Sequence, residues 1–161
     1  MSKSLKIPFY YIIGLVIFSV IPCLAESSNW PGFRGDGNSK TKIQKLPLKW
    51  TEEEGILWKN KISGFGQSSP VIWGEKIYVT STGGQNKEFL YLDCYDLNSG
   101  KSIWKRTIKA AEKVKEVTNM ISQGAPTPVA GKEGIYVFFE SGDLLAFNHE
   151  GDRRWGRKLT K

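Results

Sequence analysis

Apolar and polar residues alternate along several short stretches of this chain, with the period of β-strands. The run FLYLDCYDL at 89–97 is followed by a glycine turn and then by SIWKRTI. The same layout returns near the end of the chain as LLAFNH, a glycine turn and RRWGRKL. Because successive side chains of a strand point to opposite faces, this alternation predicts strand–turn–strand units that bury one face.

Three tryptophans mark the repeated unit. Trp58, Trp104 and Trp155 stand 46 and 51 residues apart, and each begins a similar pentapeptide, WKNKI, WKRTI or WGRKL. Gly100 and Gly151 stand four residues before the last two tryptophans and predict tight hairpin turns. The fifth residue of each pentapeptide shares the tryptophan's face of the strand, and it is apolar: Ile62, Ile108 and Leu159.

Each unit contains two further strand-like runs upstream. SSPVIWGE and KIYVTST precede the first turn, and PTPVAGKE and GIYVFFES precede the second. Pro70, Pro126 and Pro128 suit strand starts. The first unit is seven residues longer, and we place the extra residues in the loop TGGQNKEF, where an insertion costs little. Four short strands per unit at this period predict an all-β chain with β-propeller blades at 68–108 and 124–159.

The repeated tryptophan has a structural role in such an architecture. A large flat side chain fills the gap between successive four-stranded sheets, which would otherwise leave a void. ILWKNKI, at 56–62, resembles only the last strand of a unit and is predicted to be a closing strand. Between the blades, KAAEKVKEVTNMISQG is either a short surface helix or an irregular loop. In the helix, one face would carry Ala110, Val114, Val117 and Ile121.

The first 25 residues have the layout of a secretory signal peptide. Lys3 and Lys6 precede an uncharged stretch, and small residues at Cys23 and Ala25 precede a polar sequence. The alternatives are an uncleaved membrane anchor and a lipid attached at Cys23, although Pro22 is unfavourable for lipidation. We expect export, cleavage after residue 25 and a repeat region at 26–161. The protein would then be periplasmic or secreted, with no membrane span left after cleavage.

The charge and the cysteines narrow the classes of function. The net charge of +7 comes from interleaved charges, which indicate a solvated mixed surface rather than a nucleic-acid patch. After cleavage Cys94 is the only cysteine, so an internal disulfide, a CxxC redox site and a cysteine-rich zinc site are excluded. We expect Cys94 to be a small buried side chain on a strand.

DLNSGKSIWKRTI closely resembles the repeat of pyrroloquinoline-quinone (PQQ)-type propellers, whose consensus is Asp-x-x-Thr-Gly-Lys-x-x-Trp. The order of NWPGFRGDGNS, LPLKW, ILWKNKI and the two blades is similar to the amino-terminal third of exported PQQ-like repeat proteins, frequent in planctomycete and verrucomicrobial bacteria. The resemblance covers residues 29–159. Relatives of this shape have seven or eight blades, so it implies a truncated chain with most blades missing, which is marginally stable or associating.

The resemblance also raises the hypothesis of a quinoprotein dehydrogenase. Such enzymes hold PQQ over calcium, with an aspartate base and often an adjacent Cys-Cys disulfide. This chain has no Cys-Cys pair. We expect its candidate carboxylates to lie at turns, where aspartate is favoured for backbone reasons: Asp93, Asp96, Asp143 and Asp152.

The remaining candidate residues are weak. His149 is the only histidine, which makes a catalytic triad or zinc site implausible, and we expect a solvent-exposed turn residue. GFRGDGNSK fails the phosphate-loop spacing because Asn38 stands where lysine is required. The RGD at 34–36 is a three-letter match of the kind that chance supplies. We therefore assign no catalytic, cofactor-binding or metal residue.

Two hypotheses about function follow. The favoured one is a non-catalytic propeller scaffold that binds protein or carbohydrate in the cell envelope and needs no cofactor. The non-enzymatic outer-membrane β-barrel assembly lipoprotein has the same fold, which shows that the repeat does not require PQQ. The alternative is a fragment of a PQQ- and calcium-dependent alcohol or sugar dehydrogenase.

Overall fold

Two four-stranded antiparallel sheets make up the structure, which is a computed structural model describing residues 29–41, 47–112 and 124–159. These ranges contain no helix, so the prediction of an all-β chain with propeller-type sheets is confirmed. The first sheet consists of β1 (Val71–Trp73), β2 (Lys76–Gly83), β3 (Phe89–Asp96) and β4 (Ser102–Lys109). The second sheet consists of β5 (Val129–Gly131), β6 (Gly134–Phe138), β7 (Asp143–Phe147) and β8 (Arg153–Lys158).

Within each sheet the strands neighbour one another in chain order. Pro70 and Pro128 lie directly before β1 and β5, where a missing N–H breaks no ladder. The tryptophan strands β4 and β8 form the outer edge of each sheet, and Trp104 and Trp155 pair with Cys94 and Ala146. The β3–β4 and β7–β8 hairpins therefore place Trp104 and Trp155 at matching positions on the outer strand of each sheet.

The seven extra residues of the first unit are distributed differently from our expectation. β2 and β3 are eight residues long, whereas β6 and β7 are five residues long. The loop 84–88 is only one residue longer than the loop 139–142. Placing the whole insertion in the loop was therefore wrong. Most of it extends the β2–β3 ladder, because residues such as Thr82 and Leu90 alternate correctly and bury the added face.

The hydrophobic core lies between the two sheets. The first sheet contributes one face of β1, β2 and β3, and the second sheet contributes the face that carries Ile135, Val137 and Leu145. Trp104 and Ile108 pack against the edge of this core. The buried members from both sheets form one cluster: Val71, Tyr78, Leu90, Leu92, Cys94, Ala130, Ile135, Val137, Phe139, Leu145 and Phe147. The two sheets therefore share a single core.

An amino-terminal segment covers the inner edge of both sheets. Trp30 exchanges two backbone hydrogen bonds with Ile72 of β1, at 2.9 and 2.8 Å. The next residue, Pro31, accepts a 2.8 Å bond from the backbone N–H of Ala130 in β5. An uncovered edge strand presents unpaired backbone groups to other chains. The segment satisfies some of these groups and links β1 to β5.

Residues 56–62 belong to neither sheet. The interpretation of this segment as the closing strand of a further blade stays a prediction, as do the predicted boundaries of the blades. The signal peptide at 1–25 and most of the predicted helix, at 113–123, lie outside the described residues. In the described part of the chain, no helix is long and apolar enough to cross a membrane.

Candidate functional site at the joints between repeats

Trp104 connects the two sheets through a contact that we call the second joint. Its indole N–H donates a 3.1 Å hydrogen bond to the backbone carbonyl of His149, in the turn 148–151. Two residues on, Arg106 Nε donates to the carbonyl of Gly151 at 2.5 Å, and Nη2 donates to the carbonyl of Glu150 at 3.1 Å. The guanidinium also lies 5.1 Å from the centre of the Trp104 ring. One strand thus binds three carbonyls of the other sheet's turn.

Trp58 makes the first joint in the same way. Its indole N–H donates a 3.0 Å hydrogen bond to the carbonyl of Leu97, and Asn60 Nδ2 donates to the carbonyl of Gly100 at 2.7 Å. Asn60 and Arg106 both stand two residues after their tryptophan. Since side chains two residues apart share a face, the tryptophan and this polar residue reach the same turn.

Each joint requires glycine in the turn. Gly100 and Gly151 have φ angles of +69° and +84°, which other residues rarely adopt. A Cβ atom at Gly151 would lie 2.8 Å from the Trp104 ring, and one at Gly100 would overlap the Trp58 ring. The glycine therefore serves both the turn and the tryptophan. The sequence predicted that the turn needs glycine for its backbone conformation. Only the structure shows that the tryptophan ring also leaves no room for a side chain.

His149 is not the solvent-exposed turn residue that we expected. Its ring is partly buried between the sheets, with Nδ1 2.8 Å from the Tyr78 hydroxyl and Nε2 2.9 Å from the Gly131 carbonyl. Because a carbonyl can only accept, Nε2 carries the proton, and in the neutral ring Nδ1 accepts from Tyr78. The expectation failed because the turn that holds His149 is covered by the first sheet. Burial beside Cys94 and Glu150 raises the pKa of Tyr78, so its hydroxyl remains a donor.

The side chains around His149 complete this contact. Trp73 stacks on the imidazole with ring centres 6.2 Å apart and an interplanar angle of 11°. Lys76 Nζ donates a 2.8 Å hydrogen bond to the His149 carbonyl and lies 3.7 Å from the Glu150 carboxylate. The carbonyl of His149 thus accepts from both Lys76 and Trp104. The contacts with Trp73, Lys76 and Trp104 hold the turn 148–151 in place.

Two of the four aspartates expected at turns have another role. Asp93 lies in the middle of β3, is 2% exposed, and accepts from Ser63 N at 3.0 Å and Ser63 Oγ at 2.8 Å. Asp143 begins β7, is 7% exposed and accepts from the backbone N–H of Ala111 at 2.9 Å. Each carboxylate accepts from a segment that follows a joint tryptophan, since Ser63 comes after Trp58 and Ala111 comes after Trp104. Burial, together with the carboxylate of Asp93, raises the pKa of Tyr95 to about 12.

Asp96 and Asp152 do lie at turns, as expected. Asp96 accepts from the hydroxyl and the backbone N–H of Ser99 at 2.6 and 2.7 Å, and these bonds lower the pKa of its carboxyl group. Asp152 accepts from Asn148 Nδ2 at 3.0 Å. Both contacts stabilise the hairpin turns that the joints use.

The loop with the RGD sequence folds on itself. Arg34 Nε donates to Ser39 Oγ at 2.6 Å, and Asp36 accepts from the side chain of Asn38 at 2.9 Å. A Cβ at Gly35 would lie 2.9 Å from the Trp30 ring, so the central glycine packs against that ring. The loop supports the amino-terminal segment.

Comparison with known protein families agrees with this repeat geometry. Residues 48–161 match a family of PQQ-like repeats whose description is outer membrane protein assembly factor BamB. The chain belongs to the PQQ-like repeat family. No curated protein matches the chain.

The family resemblance also implied PQQ over calcium, and the described residues do not fit that group. Within 29–41, 47–112 and 124–159 there is no group of three or more His, Cys, Asp or Glu side chains that could hold a metal ion. Asp93 and Asp143 are buried against backbone N–H groups of neighbouring segments. The thiol of Cys94 lies in the core, where burial raises its pKa to about 12 and keeps it protonated.

Sequence reasoning missed the two side chains that define the chemistry of this site, His149 and Asp93. A signal for His149 was present, because it stands two residues before the turn glycine and so belongs to the turn that the preceding tryptophan meets. A signal for Asp93 was its place in the alternation, since it is a polar residue in the middle of the run FLYLDCYDL. Neither signal reveals the partner, which lies outside the residue's own repeat: Tyr78 for His149 and Ser63 for Asp93.

Proposed function

We propose that this chain is a non-catalytic scaffold or binding protein of the PQQ-like repeat family, acting by protein or carbohydrate contacts in the cell envelope. One observation carries the proposal: at both joints a tryptophan and the polar residue two positions later bind the hairpin turn of a sheet, and the turn glycine packs against the tryptophan. These repeated side chains are used for assembly. The family description, an outer membrane protein assembly factor, supports a role of this kind.

Export is part of the proposal. It is supported by the basic start, uncharged stretch and small residues of the first 25 positions. The test is to express the whole chain in a bacterial host with a periplasm and to determine the amino terminus of the recovered protein by mass spectrometry. A terminus at Glu26 in the periplasmic fraction supports export with cleavage. Retention of residues 1–25 in the membrane fraction contradicts it.

The decisive test of the scaffold function is titration of the purified whole chain with PQQ in the presence and absence of calcium. Binding is followed by quenching of tryptophan fluorescence, for which the chain has six tryptophans. We expect no saturable, calcium-dependent quenching. Saturation that calcium enhances would overturn the scaffold function and support the dehydrogenase alternative, to be followed by assays with alcohols and sugars.

The two partner classes are separated with two probes. The first is insoluble peptidoglycan, which presents carbohydrate, and the second is an unfolded outer-membrane protein, suggested by the description of the family. Co-sedimentation with peptidoglycan supports a carbohydrate partner, and complex formation with the unfolded protein supports a protein partner. Binding to neither, beside positive controls for both probes, would count against an envelope scaffold.

A further inference from the structure

A pocket lies where the long ladder of the first unit ends. Its volume is about 220 Å³, and it is lined by Asn86 and Glu88 on one side and by Lys109, Ala110 and Glu112 on the other. Pockets that enclose drug-sized ligands have volumes of roughly 300–1,000 Å³. This pocket is therefore large enough for one small ring of a ligand, and because it is partly open, a longer molecule can continue into solvent.

The loop 84–88 forms the first wall of the pocket. Gly84 and Lys87 both have positive φ angles, +90° and +57°, which fold the loop tightly. The backbone N–H of Asn86 donates a 2.9 Å hydrogen bond to Oε2 of Glu88. A Cβ atom at Gly84 would overlap the same carboxylate, so the carboxylate packs directly on the glycine. The loop thus holds the side chain of Glu88 at the pocket.

The residues at the end of β4 form the second wall. The backbone N–H of Ala110 donates to the carbonyl of Glu88 at 2.8 Å, which joins the two walls. The next N–H, of Ala111, donates to the buried carboxylate of Asp143 in the second sheet at 2.9 Å. Glu112 forms a 3.0 Å ion pair with a lysine of β8. Because both walls are held by the protein itself, a ligand pays little for ordering them.

The pocket belongs to the first unit and is not a general property of the repeat. In the second unit, the corresponding backbone bond runs from Leu159 N–H to the carbonyl of Gly142 at 2.8 Å. Gly142 stands in the place of Glu88 and has no side chain to offer. Its neighbour Ser141 is buried and donates to Asp143 at 2.7 Å. The longer ladder of the first unit therefore creates a feature that stacking of the repeats does not require.

Two polar groups at the pocket are available to a ligand. In the described part of the chain, Nζ of Lys109 has no ion-pair partner and the carboxamide of Asn86 has no hydrogen-bond partner. The ammonium group donates, the carboxamide donates and accepts, and the carboxylates of Glu88 and Glu112 accept. The pocket therefore offers both donors and acceptors to one small ligand.

The charges of the pocket select against ions. Lys109 repels a cation, and Glu88 and Glu112 repel an anion, so a charged ligand of either sign meets a like charge. Among the residues that the structure describes, no group of His, Cys, Asp or Glu side chains suits a metal ion. A neutral molecule that both donates and accepts hydrogen bonds fits this arrangement best.

We propose that this pocket binds one ring of a neutral polysaccharide. Each sugar hydroxyl both donates and accepts, as the lining groups require. The methyl group of Ala110 and the methylene groups of Lys109 offer apolar contacts to the C–H groups of the ring. The inference rests on the proposed function as a binding protein, and it specifies the carbohydrate class and its site.

The test is a titration of the ¹⁵N-labelled whole chain with two neutral tetrasaccharides, chitotetraose and maltotetraose, followed by nuclear magnetic resonance. Backbone amide signals report where a ligand binds, and the amides of 84–88 and 109–112 surround the pocket. We expect at least one of the two sugars to shift these amides saturably. The zwitterion glycine, which carries both charges but no hydroxyl groups, should shift them much less at the same concentration.

Variants of the lining separate binding in the pocket from binding elsewhere. Asn86→Ala with Lys109→Ala should weaken the affinity for the sugar by about tenfold or more, since two hydrogen bonds are lost. Ala110→Leu should weaken it as well, because the larger side chain fills the pocket. The matched control is Lys101→Ala, which removes a lysine just before the other end of β4 and should leave the affinity unchanged.

Three results would overturn the proposal. They are an absence of shifts with both tetrasaccharides, an affinity that the Asn86→Ala, Lys109→Ala chain retains in full, and shifts with glycine that equal those with the sugars. Asn86 and Lys109 are exposed, so the double variant should keep the β circular dichroism of the original chain, and it decides the question if Ala110→Leu does not fold.

Failure of this site is distinguishable from failure of the proposed function. Co-sedimentation with peptidoglycan that the double variant retains in full would overturn the pocket and leave the binding function standing. Calcium-dependent PQQ binding would refute the non-catalytic function, whereas saturable sugar shifts at 84–88 and 109–112 would still support the pocket.

Discussion

At the scale of single residues, the turn glycines are more demanding than their conformation suggests. Gly74 and Gly151 both have positive φ angles, +61° and +84°. A Cβ at Gly74 would meet nothing within 4 Å, whereas one at Gly151 would meet the rings and guanidinium of the second joint. Alanine substitutions at these two positions therefore separate the cost of the backbone conformation from the cost of crowding Trp104 and Arg106.

We expect Gly151→Ala to lower the free energy of unfolding by about 2–4 kcal/mol, from backbone strain and overpacking against Trp104. The matched control Gly74→Ala carries only the strain and should cost about 1–2 kcal/mol. Urea denaturation of both variants measures the difference. Equal costs would show that the Trp104 contact does not constrain the turn.

Cys94 makes the stability of the protein sensitive to alkaline pH. Burial raises its thiol pKa from 9.0 to about 12, so the folded chain keeps a proton that the unfolded chain loses above about pH 9. Folding stability from this group is complete below that pH and is lost as pH rises towards 12. The free energy of unfolding should fall by about 1 kcal/mol between pH 9 and 10, because the full slope of about 1.4 kcal/mol per pH unit is reached only when the unfolded thiol is fully ionised.

Cys94→Ala removes this titration and is the matched control. The variant should show a flatter dependence of the unfolding free energy on pH over the same interval, whatever its stability at pH 7. Parallel curves for the two proteins would contradict a buried, protonated thiol. The interval ends at pH 10 because the tyrosines of the unfolded chain, with an ordinary pKa of about 10, are half ionised at that pH.

At the scale of elements, the same residue has different roles on equivalent strands. Tyr78 and Tyr136 occupy matching positions of β2 and β6, yet Tyr78 is fully buried and Tyr136 is 37% exposed. The hydroxyl of Tyr78 binds the ring of His149 across the sheets. The repeat predicted both strands correctly, but the sequence of a repeat does not reveal what its tyrosine will contact.

Tyr78→Phe should destabilise the protein by about 1–3 kcal/mol, because the buried ring nitrogen of His149 loses its donor. Tyr136→Phe is the matched control on the equivalent strand and should change stability by no more than about 0.5 kcal/mol. Thermal or urea unfolding compares them. Similar effects of the two substitutions would mean that the Tyr78–His149 contact does not stabilise the joint.

At the scale of the whole molecule, the shared core makes the two sheets one folding unit. Leu145 of the second sheet and Leu92 of the first belong to the same buried cluster. The amino-terminal segment at Trp30 and Pro31 also bonds to both sheets. Neither sheet retains its buried face when the other unfolds.

Unfolding should therefore occur in one cooperative transition. Leu145→Ala, which leaves a cavity in the second sheet, should lower the stability of the entire chain by about 2–5 kcal/mol. Far-ultraviolet circular dichroism reports on the strands, and tryptophan fluorescence reports on the joints. The unfolding midpoints from the two methods should coincide, both in the original chain and in the variant. Separate midpoints would indicate that the sheets unfold independently.

The sequence by itself determined the all-β class, the four strands of each unit, the hairpin turns and membership of the PQQ-like repeat family. These follow from alternation, from the spacing of Trp104 and Trp155 and from the turn glycines, which are local properties. It did not determine how the first unit's extra residues divide between strands and loop, because ladder pairing depends on which face becomes buried.

Only the tertiary structure decided the roles of His149 and Asp93 and the exposure of Trp155. Each depends on which element lies opposite, and that element is distant in the chain: Tyr78 for His149 and Ser63 for Asp93. A repeat gives its copies the same side chains, but stacking covers one face of each sheet in turn. Trp104 and Trp155 differ for this reason alone, since the turn 148–151 meets one and no described turn meets the other.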